Sequence, residues 1–126
     1  MPAEGPSGLA IEDHAIIGDM RTAALVGEDG AIDFLCAPAF DSPAVFARLL
    51  DEDAGSFEIR PANGDSVRRQ MYLPDTNVLL TRFLHDAGIV EIVDFMPLAS
   101  SGAGQAIVRM VRCVRGEMEM CLRCEP

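Results

Sequence analysis

The sequence predicts a mostly β protein: an antiparallel β-sandwich with one short helix near residues 43–50. Short apolar runs with a two-residue period recur along the chain. Turn signals built from Gly, Pro, Asn and Asp separate them at short intervals. The 126-residue chain is 49% apolar, enough for a real core, and a domain of this size buries roughly two thirds of the surface its unfolded chain exposes. About eight strands fit these spacings.

His14 to Ile17 reads as a first short strand. Thr22 to Val26 (TAALV) and Ala31 to Cys36 (AIDFLC) read as a hairpin, because Glu28-Asp29-Gly30 between them is a turn signal in which Gly supplies positive φ without steric cost. Alternation predicts Ile32, Phe34 and Cys36 on one face. In Phe40-Asp41-Ser42-Pro43, Asp41 or Ser42 suits a helix N-cap and Pro43 its first turn. Val45, Phe46, Leu49 and Leu50 follow at helical spacing, so a helix is expected over 43–50, ending at the acids of Asp51-Glu52-Asp53.

Ser56 to Arg60 reads as a strand closed by Pro61, Asn63-Gly64-Asp65 as a turn, and Val67 to Tyr72 as the next strand. Val78 to His85 pairs with Ile89 to Phe95 across Asp86-Ala87-Gly88. The first of these carries Val78, Leu80 and Leu84 on one face and Leu79 and Phe83 on the other, the pattern of a strand covered on both sides. Residues 99–105 (ASSGAGQ) form a small-residue loop without the Gly-Lys-Ser/Thr ending of a phosphate-binding loop. Ile107–Arg115 and Glu117–Glu125 are two further strands joined at Gly116. Met118, Met120, Leu122 and Cys124 share one face of the last.

The formal net charge is −10, and every base is Arg. Residues 1–55 hold eleven acids against Arg21 and Arg48, whereas the remainder holds nine acids against eight Arg. That balance argues against nucleic acid or an anionic membrane as partner, since both need clustered cations. No apolar run approaches the roughly 18–20 residues that span a bilayer. The first ten residues (MPAEGPSGLA) have neither a basic n-region nor an apolar h-region, so no secretory signal is read there, and they form an expected flexible segment. Reduced thiols in a cytosol are the consistent expectation. Cys121 and Cys124 make a CxxC, yet an extended strand sends them to opposite faces, so structural thiols are favoured over zinc or redox work. No metal or cofactor is expected. His14 and His85 are isolated and read as strand surface or satisfied core groups.

Several ordered segments resemble a known family: Ile11-Glu12-Asp13, Gly18-Asp19, Arg21-Thr22-Ala23-Ala24-Leu25-Val26, Asp29-Gly30, Ile32-Asp33, Leu35-Cys36, Phe40-Asp41-Ser42-Pro43, Tyr72-Leu73-Pro74-Asp75-Thr76 and Asp94-Phe95-Met96-Pro97. They are similar to the N-terminal domain of proteins related to glycoside hydrolase family 15, the bacterial trehalase-like and glucoamylase-like enzymes. The likeness runs from about Ile11 to the end. Phe34 stands where the family usually has Trp, and Ala39 where it usually has Arg. The resemblance implies a trehalase-like β-sandwich domain over 11–126 that continues past this chain, with catalytic glutamates in a helical α/α barrel downstream. The catalytic domain is then the partner, and strands left open at the end favour self-association of the fragment.

Glycoside hydrolysis needs two carboxylates across the scissile bond. Most acids here sit where turns want them, and none matches the family's catalytic motifs, so no catalytic residue is assigned. A sugar-binding module is disfavoured by the absence of Trp and the single Tyr. Asp19, Arg21, Phe40 and Asp41 form the one cluster of interest. An Arg21 ion pair with Asp19, Asp33 or Asp41 is the simpler reading. The alternative is a loop reaching the rim of the neighbouring catalytic barrel, with Phe40 and Asp41 as contacts. A free-standing interaction or oligomerisation β-module is the competing function.

Overall fold

The computed structural model describes residues 9–62, 64–98 and 105–126. Among these, ten strands follow one another: β1 (His14–Gly18), β2 (Ala23–Gly27), β3 (Ala31–Cys36), β4 (Ala44–Phe46), β5 (Ser56–Pro61), β6 (Val67–Tyr72), β7 (Leu79–His85), β8 (Gly88–Phe95), β9 (Val108–Gly116) and β10 (Met120–Glu125). A 3-10 turn, Ile11–Asp13, precedes β1. Every pairing is antiparallel. One sheet has the order β1-β2-β3-β5-β10 with β4 added to β3, and the second has the order β6-β7-β8-β9. Most of the expected flexible segment 1–10, most of the loop 99–105 and Asn63 of the expected turn lie outside the described residues.

The two sheets face each other across an apolar layer. Ile17, Ala24, Val26, Ile32, Leu35 and Phe46 of the first sheet meet Leu79 of the second and Met96 just beyond it. A smaller cluster joins Ile59 to Phe83 and Ile92. Burying each of the larger side chains contributes about 1.5–3 kcal/mol. Gly30 fits the β2–β3 turn for two reasons. Its φ is +87°, and a Cβ there would strike the carbonyl oxygen of Ile59.

Two expectations change. The helix over 43–50 is absent: Ala44–Phe46 is a strand on β3, with Leu35 opposite Phe46 and Cys36 opposite Ala44. Eight residues are too few to hold a helix unaided, whereas β3 offers a free backbone edge and Val45 and Phe46 favour extended structure. A tight turn follows, in which the N–H groups of Leu50 and Asp51 donate to the Ala47 carbonyl. Ser42 caps no helix; its Oγ accepts from the Ala39 N–H. Second, Leu25 pairs with Phe34 but Val26 with Ile32, so Asp33 is a bulge. The bulge breaks the alternation, and Ile32 shares the core with Leu35 instead of with Phe34. On β7, Leu79 and Phe83 pack into the two clusters between the sheets, while on the opposite side Leu80 is 7% exposed and Leu84 half-buried.

The strands joined at Gly116 belong to different sheets, β9 pairing with β8 and β10 with β5. Gly116 has φ +67°, and Glu117 N–H donates to the Ala87 carbonyl as the chain crosses over. Met118 and Met120 pack on the smaller cluster, while Leu122 is exposed. Cys113, Cys121 and Cys124 are exposed free thiols and Cys36 a buried one. No grouping of three metal-ligating side chains occurs among the described residues. No helix among them is long and apolar enough to cross a membrane.

Candidate functional site

Antiparallel pairing gathers four connections at one end of the sandwich: the β1–β2 turn (19–22), the β3–β4 loop (37–43), the β6–β7 loop (73–78) and the start of the β8–β9 connection (from 96). The first two hold the four residues singled out in the sequence. Thr22 links them, its hydroxyl donating to the Cys36 carbonyl at 2.5 Å.

Asp19 is the anchor of this end and is 3% exposed. Its Oδ1 accepts the N–H groups of Arg21 (2.9 Å) and Thr22 (3.1 Å), and its Oδ2 accepts the Gln105 side-chain amide (2.8 Å). Burial pushes the carboxyl's pKa up, but the two N–H groups and the Gln105 amide outweigh it and hold the pKa below the ordinary value. That grip lets Met20 adopt φ +75° at the tip, where it is 89% exposed.

Arg21 departs from expectation. Asp19 binds its backbone N–H, not its guanidinium, and Arg21 makes no ion pair with any described residue. Asp33 is taken by other partners and Asp41 is exposed. Phe40 is 68% exposed in the neighbouring loop. That loop contains the Ala39–Ser42 turn, closed by the Ser42 N–H to the Ala39 carbonyl and the Ala39 N–H to Ser42 Oγ. So Asp19 ties the backbone of its turn to Gln105, while Arg21, Phe40 and Asp41 are exposed.

The buried charges that matter to the fold escaped the sequence reading. His14 Nδ1 lies 2.9 Å from the Ala10 carbonyl and Nε2 lies 2.7 Å from Asp33 Oδ2. The Asp33 hydrogen bond raises the His14 pKa against the opposing effect of burial. Arg48 donates to Asp33 through Nε at 2.9 Å and also pairs with Glu58. Between the sheets, Arg109 pairs with Asp94 at 2.7 Å. On the second sheet, Arg82 and Arg112 flank Glu91. One signal was available: Asp94 has the parity of Val90 and Ile92, so it had to point inward and find a cation.

These pairings decide what chemistry is open. The buried carboxylates Asp19, Asp33, Glu91 and Asp94 are each bound by Arg, His or backbone N–H. Arg21, Phe40 and Asp41 are exposed at this end, while the four buried carboxylates are engaged within the fold.

The trehalase-like N-terminal family matches residues 3–126. The chain belongs to that family. The trehalase-like chain is 44% identical to Trehalase 1 of Sulfolobus acidocaldarius over 82% of its own length and 18% of that relative. It is 29% identical to a trehalase of Mycobacterium tuberculosis over 92% of its length and 20% of the relative. With a trehalase of Thermoplasma volcanium the identity is 41% over 73% of its length and 15% of the relative. The trehalase-like chain thus spans a fifth or less of these relatives. No solved structure matches it.

Proposed function

We propose that this chain is the non-catalytic N-terminal β-sandwich, over 11–126, of a glycoside hydrolase family 15-like enzyme of trehalase or glucoamylase type. The parent hydrolyses an α-glucosidic bond with inversion, in the cytosol. Its sandwich packs on a downstream α/α barrel and braces loops at the mouth of the active site. Nucleic acid and membrane are not partners.

The observation that carries this reading is the loop end. Arg21, Phe40 and Asp41 project from connections tied down by Asp19, Thr22 and Ser42, while every buried carboxylate among the described residues is already engaged. Exposed groups on a rigid frame are suited to recognition. The test uses the full-length polypeptide with Phe40→Ala and Asp41→Ala. Turnover, substrate affinity or domain docking is expected to change while the sandwich stays folded. If all three are unchanged, the rim has no such role.

The exposed Leu122 on β10, with Met110, Val111 and Val114 on β9, favours a second reading in which the isolated chain self-associates as an interaction or oligomerisation module. Both are edge strands of the described sheets. Sedimentation of the isolated chain is then expected to give a dimer or larger species, and a monomer at all concentrations removes that reading.

A further inference from the structure

We propose that the outer face of the second sheet is a docking surface for an amphipathic helix whose apolar stripe is bordered by carboxylates. The register of β6 to β9 stacks outward side chains into rows. Met71, Leu80, Val93 and Met110 form an apolar row. Arg69, Arg82, Glu91 and Arg112 form the next. Beyond it run Val67, Leu84, Ile89 and Arg115.

The charge on this face is lopsided. Glu91 is 2% exposed, and both its oxygens are engaged. Arg82 donates to Oε2 through Nε at 2.8 Å, and Arg112 donates to Oε1 at 2.6 Å. Arg112 nevertheless keeps 72% of its side chain in solvent. Arg69 stands directly opposite Arg82, donates to the Arg68 carbonyl at 3.1 Å, and has no carboxylate partner among the described residues. Arg115 donates to the His85 carbonyl at 3.3 Å. Four arginines therefore meet one carboxylate, on a chain whose net charge is −10. Like charges directly opposite on a sheet are destabilising, and an external carboxylate relieves them.

Shape and polarity select the occupant. A concavity of about 630 Å³ runs between the apolar and charged rows, bounded by Leu73, Leu80, Val93 and Met110 on one side and by Arg82 and Arg112 on the other. Four strands at about 4.8 Å spacing present a strip about 14 Å wide, which about ten helical residues span. A sheet with a second apolar side buries it against a helix or another sheet, and a concavity between two rows takes a rod. A polyanion such as nucleic acid would neutralise the arginines but leave Val67, Met71 and Met110 in water. The inference goes beyond the hydrolase reading, because it requires only this chain and the chemistry of its partner.

The test titrates the 126-residue chain with two stapled helical peptides that share one leucine stripe and differ in its border, Glu in one and Lys in the other. The Glu peptide is expected to saturate in fluorescence anisotropy and to bind at least about tenfold tighter than the Lys peptide. Arg69→Glu with Arg115→Glu, which leave both Glu91 ion pairs intact, should reverse the preference with an unchanged circular dichroism spectrum. Failure of the Glu peptide to saturate, or equal binding of the two, overturns the proposal. So does a dimer in sedimentation that Arg69→Glu abolishes, since a second copy would then be the occupant.

Discussion

Arg109 offers the sharpest test of how the two sheets are held together. It belongs to β9, and its side chain is 2% exposed. Nε and Nη2 bind the two oxygens of Asp94 at 2.7 and 3.3 Å. Nη1 donates to the Phe57 carbonyl on β5 at 2.8 Å and Nη2 to the Gly30 carbonyl in the β2–β3 turn at 2.7 Å, so both bonds reach across to the first sheet and its turn. The guanidinium carbon also sits 4.9 Å from the centre of the Phe57 ring. Arg109→Met keeps much of the volume but strands a buried carboxylate and two carbonyls. Breaking a buried pair this way costs about 3–5 kcal/mol, against a typical total of about 5–15 kcal/mol. With a urea m-value of about 2 kcal/mol/M, the unfolding midpoint should fall by about 2 M. Adding Asp94→Leu removes the stranded charge and should restore at least about 2 kcal/mol.

Acid gives a second readout on the same pair. Burial already raises the Asp94 pKa above its ordinary value, with Arg109 pulling the other way. A folded-state pKa above the unfolded one means the carboxyl's stabilisation is fully present below the ordinary value of 3.8 and is lost as pH rises through the folded value. Without Arg109 that folded value climbs further, so the Arg109→Met chain should regain stability as pH is lowered from neutral. A midpoint change below about 0.5 M in the single variant would refute the reasoning, as would a double variant no more stable than the single.

Three further outcomes follow from the same geometry. Asp19→Ala should cost about 2 kcal/mol by thermal melting, since it frees two N–H groups and the Gln105 amide; Asp19's contribution is present above pH 3.8 and lost as pH falls through its lowered pKa. His14 has a folded-state pKa above 6.5, so its contribution is complete below that pH and lost as pH rises through the folded value; nuclear magnetic resonance titration of the ring should show the raised midpoint, and Asp33→Asn should lower it. Gly30→Ala should cost about 3 kcal/mol in urea unfolding, because the left-handed φ and the Ile59 carbonyl both oppose a Cβ.

The amino-acid order alone settled the β class, the hairpin around Glu28-Asp29-Gly30, the pairing of β7 with β8 and the likeness to trehalase-like N-terminal domains. Those features rest on local rules: side-chain period, turn chemistry and contiguous motifs, all readable within a short window. It also drew attention to the segments holding Asp19, Arg21, Phe40 and Asp41. It did not reveal that Asp19 grips backbone while Arg21 stands without an ion-pair partner among the described residues, because that depends on how a turn closes and on Gln105, far along the chain.

Tertiary structure decided what local rules leave degenerate. The 43–50 stretch has helical spacing, yet the open edge of β3 outbid a helix too short to stand alone. The Asp33 bulge changed which side chains share the core, since one extra residue inverts the faces beyond it. The partners of His14, Asp33, Arg48, Asp94 and Arg109 are set by strand order and by how one sheet lies on the other. A buried charge declares in sequence that it needs a partner, and only the folded chain, by bringing distant strands within hydrogen-bond reach, says which one it has.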